Sequence, residues 1–418
     1  MAMNEPLITN DAVILGMLMV ILALVFKTAS SEKPFWKKFY TYVPSLLLCY
    51  FLPSILNSTG LVSGEQSGLY RIASRYLLPA SLILLTLSID LKAIKRLGPK
   101  AVIMFFSGTI GVIIGGPLAI LIVSSFAPEL VGGEGPDAVW RGMTTIAGTW
   151  IGGGANQAAM LEVFGASAAL FSIMVTVDVI VANIWTGFLL YGAGQAERID
   201  KFFKADSSAI DDVKKRIESF RLGILKIPAL PDTMLILGIA FGLTGLSHYL
   251  SDGIVPIIKS LPAEWELDRF SLDSSFFWIV VLATTFGLIL SFTKARNLEG
   301  VGASRLGSAM LYVLVATIGM QMDLKSIFYN YQLFMVGGIW ILIHVTILLT
   351  TAKIIKAPFF FTAVGSMANI GGAASAPIVA SAFHPSLAPV GVLLAVLGYA
   401  LGTYGAWLCG ILMQAVAP

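Results

Sequence analysis

The sequence predicts an all-α membrane protein of two inverted repeats, each of about five transmembrane helices and each interrupted by a Gly-rich broken helix or re-entrant hairpin. Three observations lead there. Only 12% of the 418 residues are charged and 57% are hydrophobic, against about 25% charged in a soluble domain. Apolar runs long enough to cross a bilayer as helix, about 18 residues or more, recur along the chain. The order of elements in the first half also returns in the second.

The apolar runs of the first half are 12–28, 41–57, 72–90, 101–126 and 168–193, and those of the second are 232–250, 274–292, 305–322, 332–351 and 387–414. No Lys or Arg precedes Ala12–Phe26, so this run reads as a retained first span with its N-terminus outside rather than a signal peptide. Orientation follows from the positive-inside rule. The basic stretches 27–38, 92–100, 294–305 and 353–356 and the long loop 194–231 are expected in the cytoplasm. Within that loop Ile210–Phe220 has helical charge spacing. The acidic loops 127–139 and 251–273 are expected outside, and the C-terminus with them.

Two further segments, 140–165 and 357–382, are apolar but rich in Gly, Ala and small polar residues. If 140–165 crossed fully, the basic turn 92–100 and the basic loop 194–231 would fall on opposite faces. Re-entrant hairpins, one from each side, satisfy the charge rule; two broken crossing helices remain the alternative.

The duplication is visible in residues. Ala80–Ile94 aligns without gaps with Val313–Ile327, sharing Asp90-Leu91-Lys92 with Asp323-Leu324-Lys325. Each copy is followed by a long span, a Gly-rich segment (Ile151–Asn156 and Ile370–Ser375) and a final span. The repeats are 12–193 and 232–414, joined by the loop 194–231. An odd number of spans per repeat makes the halves antiparallel across the membrane, the common plan of secondary transporters.

Gly152-Gly153-Gly154 costs a helix about 1 kcal/mol per Gly relative to Ala, so the run invites unwinding. Unwound backbone in a bilayer must be enclosed by protein or line a wet cavity, where its N–H groups and helix ends can hold a ligand. Small residues also permit close helix packing. The substrate-binding candidates are Thr149, Gly153, Gly154, Asn156 and Gln157 in the first segment and Asn369, Gly372 and Ser375 in the second. Asn183 and Thr403, at matching places in the final spans, join them. Asp178, a carboxylate inside an apolar span, is functional by default. With Asn156 and Ser366 it is a candidate Na⁺ ligand, or it carries a proton. Arg141 at the mouth of the first segment attracts anions or meets headgroups, Glu162 is expected to be wet, and His344 reads as a structural hydrogen-bonding residue.

Other classes find little support. No basic stripe suits nucleic acid, and no Lys follows the Gly run as in a phosphate-binding loop. Cys49 and Cys409 make neither a disulfide framework nor a zinc spacing. No catalytic motif was found, so an enzyme is not expected, and two unequal inverted motifs suit alternating access better than the rings of a channel.

Over its whole length the chain resembles a bacterial YjcL-like membrane-protein family. Ile151–Gln157 and Ile370–Ser375 resemble the paired Gly-Gly motifs of the sodium–glutamate symporters and the 2-hydroxycarboxylate transporters. Leu85–Phe106 and Gly153–Gln157 are similar to stretches of the bile acid–sodium symporters. The second copy, Gly371-Gly372-Ala373-Ala374, lacks an amide at the Asn156 position, so no substrate carries over. The resemblance implies core and scaffold domains, elevator-type movement, a homodimer in the bacterial inner membrane, and Na⁺-coupled symport of a small anionic or zwitterionic solute. Proton coupling through Asp178 is the alternative.

Overall fold

Asn10 accepts the Ala12 N–H at 2.9 Å and opens the first span, as a short polar side chain does at a helix N-cap. The computed structural model describes residues 6–43, 45–205, 228–268, 270–322, 332–384 and 387–418, and every regular element among them is helical. The first half comprises α1 (Asp11–Ala29), α2 (Pro34–Tyr42), α3 (Ser45–Ser58), α4 (Leu69–Ile72), α5 (Leu78–Leu87), α6 (Leu91–Arg96), α7 (Pro99–Ser124), α8 (Pro128–Val131), α9 (Val139–Gly152), α10 (Gly154–Phe164) and α11 (Ala168–Ala193). Then come α12 (Ala196–Phe203), α13 (Leu230–Lys259), α14 (Ser275–Ser291), α15 (Ala303–Gly319), α16 (Leu333–Ile355), α17 (Phe359–Ile370), α18 (Gly372–Phe383) and α19 (Ala388–Val416). The stretch Ile210–Phe220 and the repeat motif Asp323-Leu324-Lys325 lie outside the described residues.

Among the described residues six helices are each long and apolar enough to span a membrane, up to eight if two bent pairs are counted. The ten apolar runs exceed this count for local reasons. The run 72–90 is helical without a break from Leu69 to Leu87, with one π-helical turn, Ala73–Leu77, between α4 and α5. In the run 41–57, α3 is 14 residues long and passes through Pro53. The run 305–322 ends at Gly319, where an added Cβ would collide with the Tyr50 backbone.

The helices pack as two groups. One consists of α1, α3, α5, α13, α14 and α15; the other consists of α7, α9, α10, α11 and α16 to α19. The second group holds the Gly-rich segments, and α9 and α17 are its most enclosed helices: all of α17, and all of α9 but Arg141, is buried. A helix that is apolar and buried all round belongs inside a bundle.

Contacts sort the loops into two ends. At one end Ile8 N–H bonds Leu61 O (2.9 Å), His248 Nε2 meets Arg75 O (2.9 Å) and Trp407 Nε1 donates to Phe270 O (3.0 Å). At the other end Arg296 pairs with Asp90 at 3.0 Å, Lys100 Nζ donates to Lys356 O at 3.1 Å and Phe359 N–H donates to Asp200 at 2.7 Å. Burial holds the Asp200 carboxyl above its ordinary range, against the opposing pull of that N–H. Single cysteines replacing Glu134 and Trp265, on a background lacking the buried Cys49 and Cys409, should react with an impermeant thiol reagent from one side of the membrane. A cysteine replacing Lys356 should react from the other. Labelling of all three from one side would contradict this arrangement.

Candidate functional site

Each Gly-rich segment folds back on itself. In the first, Trp140 at the start of α9 lies edge-on to Phe164 at the end of α10, with ring centroids 5.7 Å apart, and Arg141 donates to the Phe164 carbonyl. In the second, Phe383 at the end of α18 meets Phe359 and Phe360 at the start of α17, at 6.1 and 5.3 Å. Both pairs are therefore helical hairpins with their ends together and their turns remote. Arms of 14, 11, 12 and 12 residues rise about 16–21 Å at 1.5 Å per residue, short of the roughly 30 Å of a hydrocarbon core. The first hairpin opens at the end of the molecule that holds Glu162 and Arg75, which pair at 3.2 Å. The second opens at the end that holds Asp200.

The two turns come together. Gly153 has φ 77° and Gly372 φ 58°, values at which an L side chain is strained. A Cβ built on Gly372 would stand 4.0 Å from Gly153 Cα. One built on Gly153 would reach Tyr399 at 3.8 Å, and one on Gly154 would reach Leu311 at 4.0 Å. The glycines divide the work. Gly148 and Gly152 let backbones touch, since a Cβ there would fall 2.5 Å from Asn156 O and 2.7 Å from Gly398 O respectively. Gly153 makes the turn, and Gly154 begins α10, where a Cβ would stand at van der Waals distance from Leu311. The packing role and the turn role thus coexist in one run.

The amides beside the turns are taken up inside the protein, in the same pattern twice. Asn156 Nδ2 donates to Gly152 O (3.0 Å) and Tyr399 O (3.1 Å), while its Oδ1 accepts from Thr403 (2.7 Å). Asn369 Nδ2 donates to Gly365 O and Phe105 O (both 2.9 Å), while its Oδ1 accepts from Thr109 (2.8 Å). Each amide thus bonds the carbonyl one turn back, a carbonyl of a neighbouring helix and a threonine hydroxyl. The sequence reading has Asn156, Asn369 and Thr403 as substrate ligands; here their side chains bond to the protein itself. Asn183 is exposed and bonds Val179 O of its own helix at 2.8 Å.

Asp178 is buried. Trp150 Nε1 donates to one carboxylate oxygen at 2.6 Å and Gln157 Nε2 lies 3.3 Å from the other. Gln157 in turn accepts from Tyr50 on α3 at 3.1 Å, which links the two helix groups. Ser366 belongs to a different chain of bonds. Trp185 Nε1 lies 2.8 Å from its Oγ, and Oγ lies 2.8 Å from His344 Nε2. If the indole donates to Ser366, the serine proton goes to Nε2 and His344 Nδ1–H goes to Gly108 O at 3.1 Å. His344 is thus the structural hydrogen-bonding residue expected. Asp178, Asn156 and Ser366 have separate sets of partners, so the structure does not gather them as one Na⁺ site. Among the described residues no cluster of three His, Cys, Asp or Glu could hold a metal.

The family model described as a protein of unknown function, DUF819, matches residues 16–416. The chain belongs to the DUF819 family. It is also 24% identical over 352 residues to the Bacillus subtilis (strain 168) protein named "Uncharacterized membrane protein YjcL", covering 81% of this chain and 82% of that one. This DUF819 protein is a multi-pass membrane protein.

What remains available at the turns is the backbone around Gly153, Gly154 and Gly372, with the half-buried Ser375 beside Gly371. Thr149 is buried and accepts the Gly153 N–H on its carbonyl at 2.9 Å. The sequence reading missed Tyr50, Trp150 and Trp185. Their signal was an N–H or O–H inside an apolar span, which must find an acceptor. Glu162, expected wet, is largely enclosed and bonds Tyr70 as well as Arg75. Arg141 stacks 4.7 Å from the Trp140 ring while it closes the hairpin. In this DUF819 protein Asn156→Ala and Asn369→Ala should each cost about 1–3 kcal/mol, because buried partners lose a hydrogen bond. Both should lower the thermal midpoint in detergent, whereas Asn183→Ala should leave it unchanged. Equal midpoints for all three would refute the anchoring role.

Proposed function

We propose that this DUF819 protein is a secondary active transporter that carries a small organic anion or amino-acid-like solute by alternating access. The observation that carries the reading is the meeting of two glycine turns, Gly153 and Gly372, at the ends of hairpins that open at opposite ends of the molecule. Arms that rise roughly half to two-thirds of a bilayer put such a meeting point near its middle, the usual depth of a transporter's site. Helices α10 and α18 begin at these turns, so their partly positive N-termini favour a carboxylate. The backbone N–H groups of Gly154 and Gly372 bind it, and Ser375 and the Tyr399 side wall set selectivity. The helix group with the hairpins is the moving core of an elevator, and the other group is the scaffold and dimer surface. The positive-inside rule places the end with Lys100, Arg198, Lys201, Lys353 and Lys356 in the cytoplasm of a bacterial inner membrane and both termini outside. The reading assigns no enzymatic activity and no resident cofactor; Na⁺ is the coupling ion.

A second reading, proton coupling, is favoured by Asp178, whose hydrogen-bond partners Trp150 and Gln157 are uncharged. A carboxylate so deep in a span costs about 2.5–3.5 kcal/mol on insertion scales, which a proton or a Na⁺ would relieve. Purified protein screened by thermal shift against small metabolites, with and without Na⁺, separates the readings. A bound solute at 100 times its Kd stabilises by about 2.7 kcal/mol. Na⁺ coupling requires a solute shift that grows with Na⁺ and a loss of that growth in Asp178→Asn; proton coupling requires a shift that follows pH and ignores Na⁺. Gly153→Val should abolish the solute shift in either case. A Gly153→Val protein that binds like the parent would place the site elsewhere.

A further inference from the structure

At the end of the molecule with Asp200 lies a second feature, remote from the glycine turns. A cavity of about 510 Å³ opens between the last turns of α11 and α16 and the short helix α12. Its walls are mainly apolar and include Phe188, Leu189, Ile199, Phe202 and Leu349, with Lys353 at the edge. Helix α12 carries Ile199, Phe202 and Phe203 at helical spacing toward this cavity, and Arg198 and Lys201 are exposed on it. That pattern suits a helix lying in the plane of a bilayer interface. Asp200 fixes its place by accepting the Phe359 N–H at the start of α17.

The mouth faces the apolar exterior. Ile184, Phe188 and Tyr191 of α11 are exposed at one helical face and lead into the cavity, whose rim includes Phe188 and Tyr191. In a membrane-embedded protein this face meets acyl chains, not water. The cation at the rim belongs to the last turn of α16. Lys353 Nζ stands 5.6 Å above the Phe202 ring, and among the described residues it forms no ion pair. Apolar depth, a lipid-facing mouth and a lysine at interface level form one recognition pattern: an alkyl tail inside and a phosphate outside. Basic pockets between spans on the cytoplasmic side hold anionic headgroups in this way.

We infer that this cavity is a binding site for an anionic glycerophospholipid, with one acyl chain between α11, α12 and α16 and the phosphate against Lys353. The lipid joins α12 to two spans and the start of the second hairpin, so its occupancy stabilises the end of the molecule at which that hairpin opens.

The test uses the full chain, purified and delipidated in a neutral detergent, titrated with phosphatidylglycerol, with phosphatidylcholine of the same acyl chains, or with inorganic phosphate, reading the thermal midpoint. Phosphatidylglycerol should raise the midpoint, phosphatidylcholine less so, and phosphate not at all. Lys353→Gln should weaken the phosphatidylglycerol response about fivefold in apparent affinity, the effect of one basic residue at a membrane surface, and Lys353→Arg should restore it. Lys259→Gln, on an exposed lysine at the far end of α13, should respond like the parent. Phe202→Ala should weaken the response to both lipids. Equal responses to the two lipids, a full response in Lys353→Gln, or a shift with phosphate alone would overturn the assignment.

Discussion

Backbone that leaves the helix inside a bilayer has to be enclosed by protein, and the architecture of this molecule follows from that requirement. Four half-length helices end or begin in the interior, at Gly152, Gly154, Ile370 and Gly372. Each loses the water that would satisfy a helix end in a soluble protein. The helix ends are instead packed against α7, α11, α16 and α19. Asn156 and Asn369 tie their helices across to Tyr399 O and Phe105 O, carbonyls of α19 and α7. The aromatic closures at Trp140–Phe164 and Phe360–Phe383 hold the opposite ends of the arms. The hairpins are therefore pinned at both extremities, and the glycine turns between them are left free of side chains.

The two helix groups touch through a different chemistry. Tyr50 meets Gln157, Thr284 meets Thr403 at 3.0 Å, and Thr285 meets the Tyr404 hydroxyl at 2.7 Å. Thr403 donates to Asn156, so it accepts from Thr284, and the chain of bonds runs from α14 to the first hairpin. Hydroxyls and amides can change partners at a cost of about 1 kcal/mol net per bond. The Glu162–Arg75 pair adds a charged contact at the end where the first hairpin opens.

Much of this was legible from residue order. The helical class, the exceptional nature of the two Gly-rich runs and the depth of Asp178 follow from composition and spacing, because a bilayer tolerates few alternatives. The fate of Asn156 and Asn369 was not legible. A lone amide in an apolar helix looks the same whether it waits for a ligand or bonds a carbonyl of another helix, and that partner lies hundreds of residues away in sequence. The different surroundings of Asn183 and Thr403, one exposed and one buried, were not legible either: their match rests on repeat position, whereas exposure depends on which helix face meets a neighbour. Fewer helices than apolar runs reach full span length because α3 and α15 are 14 and 17 residues long and a π turn interrupts the α-helical pattern between Leu69 and Leu87, none of which hydropathy reveals.

Asp178 has an electrical consequence. Trp150 and Gln157 orient the carboxylate but bring no positive charge. When the carboxylate is ionised, that pair of donors leaves its full negative charge uncancelled; a cation arriving there changes the local net charge by one. One elementary charge moved through the whole membrane field is worth about 2.3 kcal/mol per 100 mV, roughly a fiftyfold bias at that voltage. A helix group that shifts with the carboxylate ionised and one that shifts with it neutralised would feel the resting potential differently. Membrane voltage would then set which of the two moves more readily.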